Sequence, residues 1–116
     1  VCDWCNDDQP YEMKVENGRL VSVPYTLELN DIPIYLAQNH KSPEIFERAR
    51  DQFDTLYREG ADSARVMCVS THPYITGVPH RIKYYDMIWE YIRQFDGVVF
   101  MTGSEILDWY NGAVGS

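Results

Sequence analysis

The order of elements legible in the sequence predicts an α/β fold. Two observations carry that expectation. From residue 42 onward, apolar residues recur at helical spacing, then as an unbroken run, then at helical spacing again, the alternation of helices laid on parallel strands. The run itself, Ala64-Arg65-Val66-Met67-Cys68-Val69-Ser70-Thr71, does not alternate, as expected of a strand covered on both faces. It stops at His72-Pro73, and in parallel sheets ligands and chemistry collect at the carboxyl ends of strands.

The elements follow in order. Val1 to Pro10 is polar and turn-rich after its first residues. Tyr11 to Val15 and Arg19 to Pro24 are two strand-like runs, and Asn17-Gly18 between them favours a type I′ turn, so a β-hairpin is predicted near the N-terminus. Tyr25 to Lys41 has no clear period and reads as a long loop or a short helical turn. Ser42-Pro43 opens a helix, with serine as N-cap and proline at the first position. Ile45, Phe46, Ala49, Phe53, Leu56 and Tyr57 share one face, and Gly60 ends it.

After the strand at 64–71 comes a turn over Thr76 to Pro79. A second helix is predicted from about His80 to Phe95, with Ile82, Tyr85, Ile88, Trp89 and Ile92 on one face, broken by Gly97. Val98 to Met101 is a short apolar strand, and a last helix starts at Ser104 and carries Ile106, Leu107 and Trp109. Two parallel strands are too few to bury both faces of a sheet or to shield its edges. The chain also opens on Val1 rather than on a methionine. It is therefore read as one partial domain over residues 1–116, part of a longer chain, with open edges that favour a homo-oligomer.

Composition narrows the function. The 116 residues suit one domain, and 45% hydrophobic with 14% aromatic content is enough to build a core. Ten Lys and Arg against eighteen Asp and Glu give a net charge of −8, which argues against a nucleic-acid backbone or an anionic membrane as partner. No apolar run approaches the roughly 20 residues of a membrane span, and the opening residues do not read as a signal peptide. Cys2, Cys5 and Cys68 fit a reducing, cytoplasmic setting better than a disulfide scaffold. The Cys2–Cys5 spacing resembles a redox or metal pair, but no second pair completes a zinc site and no helix start follows.

Three groups of residues could carry chemistry. Asp3, Asn6, Asp7 and Asp8 could bind a cation or orient a catalytic side chain, although the spacing is not that of an EF-hand and a solvated turn reads more simply. Tyr25 with Asn30 and Asp31 offers hydrogen-bonding groups to a substrate. His72, Tyr74 and Arg81 form the third group. A strand-end histidine can serve as a general acid or base, or can simply cap the strand. Arg81 lies in the first turn of a helix, where its charge opposes the dipole and could hold an anion. No nucleophile elbow, phosphate loop or dinucleotide fingerprint is present.

Several blocks in order resemble the polysaccharide deacetylase (NodB-homology, carbohydrate esterase family 4) superfamily, in the branch close to metal-independent allantoinase-like proteins. The carrying stretches are Asp3 to Tyr11, Val23 to Asp31, Ser70 to Tyr74, Gly77 to Arg81, and Asp96 through Ile106. The resemblance implies the carboxyl-terminal part of a distorted (β/α) barrel and a hydrolase of non-peptide C–N bonds acting on an oligosaccharide or small-molecule amide. It gives His72 the place of the family's last motif, with the implied role of a general acid. It makes Asp3 to Asp8 similar to the motif that tunes that histidine, with Asp3 catalytic. Asn6, Asp7, Asp8, Tyr25, Asn30, Asp31, Tyr74 and Arg81 are then on the substrate side. The family's aspartate base and its metal site of one aspartate and two histidines belong to motifs absent here, since no His-x-x-x-His pair occurs. Zinc or another divalent ion in the full-length protein would take its ligands from outside this chain, and this piece alone is expected to be inactive. The rival readings are a metal-free allantoinase-like amidohydrolase, a non-catalytic module of the same fold, and a thiol–redox protein using Cys2 and Cys5.

Overall fold

The computed structural model describes residues 7–25 and 27–114. The expected hairpin is present, as β1 (Tyr11–Met13) antiparallel to β2 (Leu20–Ser22), with Glu12 opposite Val21. Both strands are shorter than predicted. Residues 14–19 are exposed and give no face for the ladder to cover, so a longer loop replaces the two-residue turn. Gly18 has φ +76°, but Asn17 does not take the positive φ that a type I′ turn needs at both central positions. An Arg19–Glu12 ion pair spans the hairpin, and Arg19 Nη1 also donates to Asn111 Oδ1 at 2.6 Å, tying it to the chain's last helix.

The unpatterned stretch after the hairpin contains a π-helical turn, Ile32–Ala37. Asn30 Oδ1 accepts the Ile32 N–H at 3.0 Å and starts this turn locally. Ile34 and Tyr35 from it are buried, and the Tyr35 hydroxyl donates to the Ser42 carbonyl at 2.6 Å. Burial pushes the Tyr35 hydroxyl above its usual range.

Helix α1 runs Glu44–Glu59 and is capped by Pro43, whose carbonyl accepts from Phe46 and Glu47. This corrects the assignment of Ser42 as N-cap: its carbonyl is taken by Tyr35, and the helix begins one residue later. Ile45, Ala49, Phe53 and Leu56 form the buried face, while Tyr57 reaches out to donate to the Asp96 carbonyl. Helix α2 (Ile82–Ile92) is shorter at both ends than the predicted 80–95, because turns closed on Val78 and on Tyr91 and Ile92 flank it. Ile88 and Ile92 face α1.

Helix α3 (Gly103–Val114) starts with a reciprocal cap not read from the sequence. Thr102 Oγ1 accepts the Glu105 N–H at 3.2 Å, and Glu105 Oε2 accepts the Thr102 N–H at 2.7 Å. Thr102→Ala should cost about 1 kcal/mol in a denaturant titration, the usual worth of a cap.

The two predicted parallel strands need correction. Residues 64–69 form no regular strand, and 65–69 are half-buried rather than sealed. What remains is one parallel bridge, Asn30 with Ser70, made by Ser70 N–H to Leu29 O (2.8 Å) and Asp31 N–H to Ser70 O (3.1 Å). At the other end of the run, Val66 N–H donates to Asp8 O at 2.7 Å. Residues 98–101 pair with no strand among the described residues, and Val99 is 74% exposed. A strand exists through its ladder partners, and here the ladder is one bridge wide.

The core gathers Leu29, Ile34, Tyr35, Ile45, Ala49 and Phe53 with Ile75, Ile88 and Ile92. Phe53, Tyr91 and Phe95 meet edge-on with centroids 5.0–6.0 Å apart, which fixes the angle between α1 and the end of α2. No helix among the described residues is long and apolar enough to cross a membrane.

Candidate functional site

The single parallel bridge positions the site. It sets Asp31 beside the residues that follow Ser70, and so brings a carboxylate to His72 across 41 positions of sequence. Asp31 is fully buried. Its Oδ1 lies 2.7 Å from His72 Nδ1, and its Oδ2 accepts the His72 backbone N–H at 2.6 Å and the Thr76 hydroxyl at 2.7 Å. Oδ2 already receives two donors, and a carboxylate oxygen can only accept, so the 2.7 Å contact at Oδ1 assigns a proton to His72 Nδ1, which donates it. Nε2 is then the ring nitrogen left for a ligand, on a side chain with 36% of its surface exposed.

A tight turn holds this arrangement. The His72 carbonyl accepts from both Ile75 (3.0 Å) and Thr76 (2.9 Å). Gly77 follows with no room for a side chain: a Cβ there would sit 2.6 Å from the Pro73 carbonyl oxygen. Tyr74 is 67% exposed and meets the His72 ring edge-on at 5.8 Å. Below the turn, Arg81 places its guanidinium 4.5 Å over the Tyr35 ring and donates from Nη1 to the Ile75 carbonyl at 3.1 Å. Its Nε is buried without a partner among the described residues.

Of the candidates from the sequence, the structure brings together Asp31, His72 and Tyr74. Asp31 was expected on the substrate side, but it is sealed from solvent with both oxygens occupied, so it faces the histidine and not a ligand. Asn30 is half-buried; its Oδ1 accepts the Ile32 N–H and its backbone carbonyl accepts from Ile34 at 3.3 Å. Arg81 braces the turn through Ile75 rather than standing free at a helix start. Tyr25 is exposed, and Asp7 is exposed with its Oδ1 on the Asp8 N–H. Asp8 is half-buried, with its carbonyl on Val66. Asp3 and Asn6, with Cys2 and Cys5, lie outside the described residues. The carboxylate seen on His72 therefore comes from the end of the Leu29-Asn30-Asp31 segment. Thr76 and Gly77, read from the sequence only within the turn and the stretch after His72, take a part in the site itself. Their signal was a hydroxyl four residues after the histidine, followed by glycine.

No family model matches the chain. Over 115 residues, covering 90% of the chain, it is 34% identical to a Schizosaccharomyces pombe protein named for polysaccharide deacetylation. Over 91% of the chain it is 33% identical to the peptidoglycan deacetylase of Helicobacter pylori. The chain belongs to the polysaccharide deacetylase superfamily. Its backbone matches the crystal structure of the Puue allantoinase with TM-score 0.88 and 28% identity over 96% of the chain. A Pseudomonas aeruginosa PAO1 structure named for polysaccharide deacetylation matches with TM-score 0.87 and 26% identity over 95% of the chain. The chain spans 36–37% of the length of these curated relatives and 38% of each of these two solved chains.

Among the described residues there is no donor set that fits a divalent metal: no three His, Cys, Asp or Glu side chains converge. His72 is committed to Asp31 through Nδ1, and His40 Nε2 lies 3.0 Å from Arg48 Nη2.

Proposed function

We propose that the full-length protein hydrolyses the amide bond of an N-acetylated sugar, with His72 as general acid. The observation that carries this reading is the buried Asp31 carboxylate on His72 Nδ1, which leaves Nε2 to face a substrate. Water adds to the amide carbonyl carbon. A base supplied from outside this chain takes the proton of the attacking water; as the C–N bond breaks, the Nε2 proton of the His72 imidazolium passes to the departing nitrogen, giving acetic acid and a free amine, and the proton held by the base returns the ring to its starting state. The imidazolium that donates is stabilised by Asp31, and a positioned proton donor of this kind is worth roughly 10² to 10⁴ in rate. Tyr74, exposed and edge-on to the His72 ring, is assigned the substrate contact in this reading, which its exposure supports. The sugar as substrate is supported by the names of the two relatives.

We further infer that the chain forms the carboxyl-terminal part of a distorted (β/α) barrel. In that setting residues 64–71 and 98–101 gain the ladder partners that the described residues lack. The match to two solved chains over 95–96% of this one supports this.

A second reading, ring-opening of a cyclic ureide such as allantoin, is favoured by the equally good match to an allantoinase. The full-length protein should be offered N-acetylglucosamine oligomers and allantoin in parallel. Acetate release is the expected result, and ureide opening alone selects the second reading. If neither substrate turns over, or His72→Ala leaves turnover unchanged, the proposal fails.

A further inference from the structure

We propose that Thr76 is a positioning residue that fixes His72 in one tautomer and one ring orientation; its kinetic consequence rests on the general-acid reading of His72. The argument is a closed circuit of hydrogen bonds. Thr76 Oγ1 donates to Asp31 Oδ2 at 2.7 Å, Asp31 Oδ1 receives His72 Nδ1 at 2.7 Å, and the Thr76 N–H returns to the His72 carbonyl at 2.9 Å. Both Thr76 (2% exposed) and Asp31 (0%) are shut away from water, so no solvent molecule replaces a lost donor.

The division of labour between the two carboxylate oxygens is what matters. Oδ2 takes the His72 N–H and the Thr76 hydroxyl, which lie on one side of the group. That leaves Oδ1 alone for the imidazole. A carboxylate held by the backbone N–H alone would be free to turn about its Cβ–Cγ bond and to share either oxygen with the ring. The hydroxyl removes that freedom. A hydroxyl on the residue that already bonds the histidine's own carbonyl moves with the histidine, so the alignment survives small motions of the loop. Valine has nearly the same shape as threonine and removes only the donor. Serine keeps the donor.

The test uses full-length protein labelled with ¹⁵N-histidine. In the parent protein, at a pH high enough for the ring to be neutral, the His72 resonances should report a single Nδ1–H tautomer with a protected ring proton, the state from which Nε2 alone takes up the proton it later donates. Thr76→Val should mix the tautomers and expose that proton to exchange, and Thr76→Ser should restore the parent spectrum. Turnover should follow, with kcat falling roughly 10- to 100-fold in Thr76→Val, the range found when the outer partners of a functional ligand are removed, and KM unchanged. Thr76→Ala, which also removes the donor, carries the same test if the valine variant does not fold. An unchanged His72 spectrum in the valine or alanine variant overturns the proposal. A changed spectrum with undiminished kcat leaves the positioning role standing and overturns the general-acid reading of His72 instead.

Discussion

Asp31→Asn should reduce turnover by the full-length protein about as far as losing His72 itself, by roughly 10² to 10⁴. Three donors face this side chain: the ring Nδ1, the His72 backbone N–H and the Thr76 hydroxyl. Asparagine offers one oxygen and an NH₂ that can only donate. If the NH₂ takes the place of Oδ1, the ring nitrogen must give up its proton and accept, and the imidazolium needed for proton donation is disfavoured. If it takes the place of Oδ2, it meets a backbone N–H that cannot turn away. Either orientation leaves a buried group without its partner, at roughly 1–3 kcal/mol. The variant should therefore show both lower kcat and a lower denaturation midpoint, and His72→Ala, which strips the buried Oδ1 of its ring donor, should lower both as well. Equal activity in Asp31→Asn and parent protein would show that the buried pair is structural only.

Gly77→Ala comes second in expected size. Its Cβ would lie 2.6 Å from the Pro73 oxygen, 3.1 Å from Pro73 Cα and 3.2 Å from its carbonyl carbon, all backbone atoms with no side chain free to yield. The turn from His72 to Gly77 must open to admit the methyl group, at about 1–3 kcal/mol by the usual cost of overpacking. His72 sits at the head of that turn. A displacement on the order of 1 Å in a reacting group can cost about 100-fold, and a drop in kcat of that order is expected. Gly112→Ala is the matched control. It lies in α3 with nothing within 4 Å of the added atom, and alanine favours a helix over glycine, so stability should hold or rise slightly. Comparable losses in the two variants would contradict the role given to the turn.

The sequence made His72 legible because a long apolar run ending in His-Pro is a strong local signal. Helices α1 and α2 were legible for the same kind of reason: Ile45, Ala49, Phe53 and Leu56 repeat on one face, and so do Ile88 and Ile92. The pairing of Asp31 with His72 was not legible. It depends on one bridge between Asn30 and Ser70, 40 positions apart, and nothing in either local pattern specifies that partner. The same limit explains the strands. Apolar runs at 64–71 and 98–101 show that a segment could lie in a sheet, but whether a ladder forms is decided by neighbours distant in sequence. The Thr102–Glu105 cap has the spacing of a capping box, but Ser104, two residues on, offers a competing local start, and only the fold selects between them. The π-helical turn at 32–37 had no period to announce it, and its burial comes from Ile34 and Tyr35 meeting the core.

The central claim is that His72 and Asp31 act as one unit in proton transfer. A double-mutant cycle in the full-length protein tests it most directly, with turnover of an established substrate measured for His72→Ala, Asp31→Asn and the double variant. If Asp31 acts only through His72, the double variant should be no slower than His72→Ala alone. Losses that multiply, so that the double variant falls by the product of the two single effects, would contradict the account.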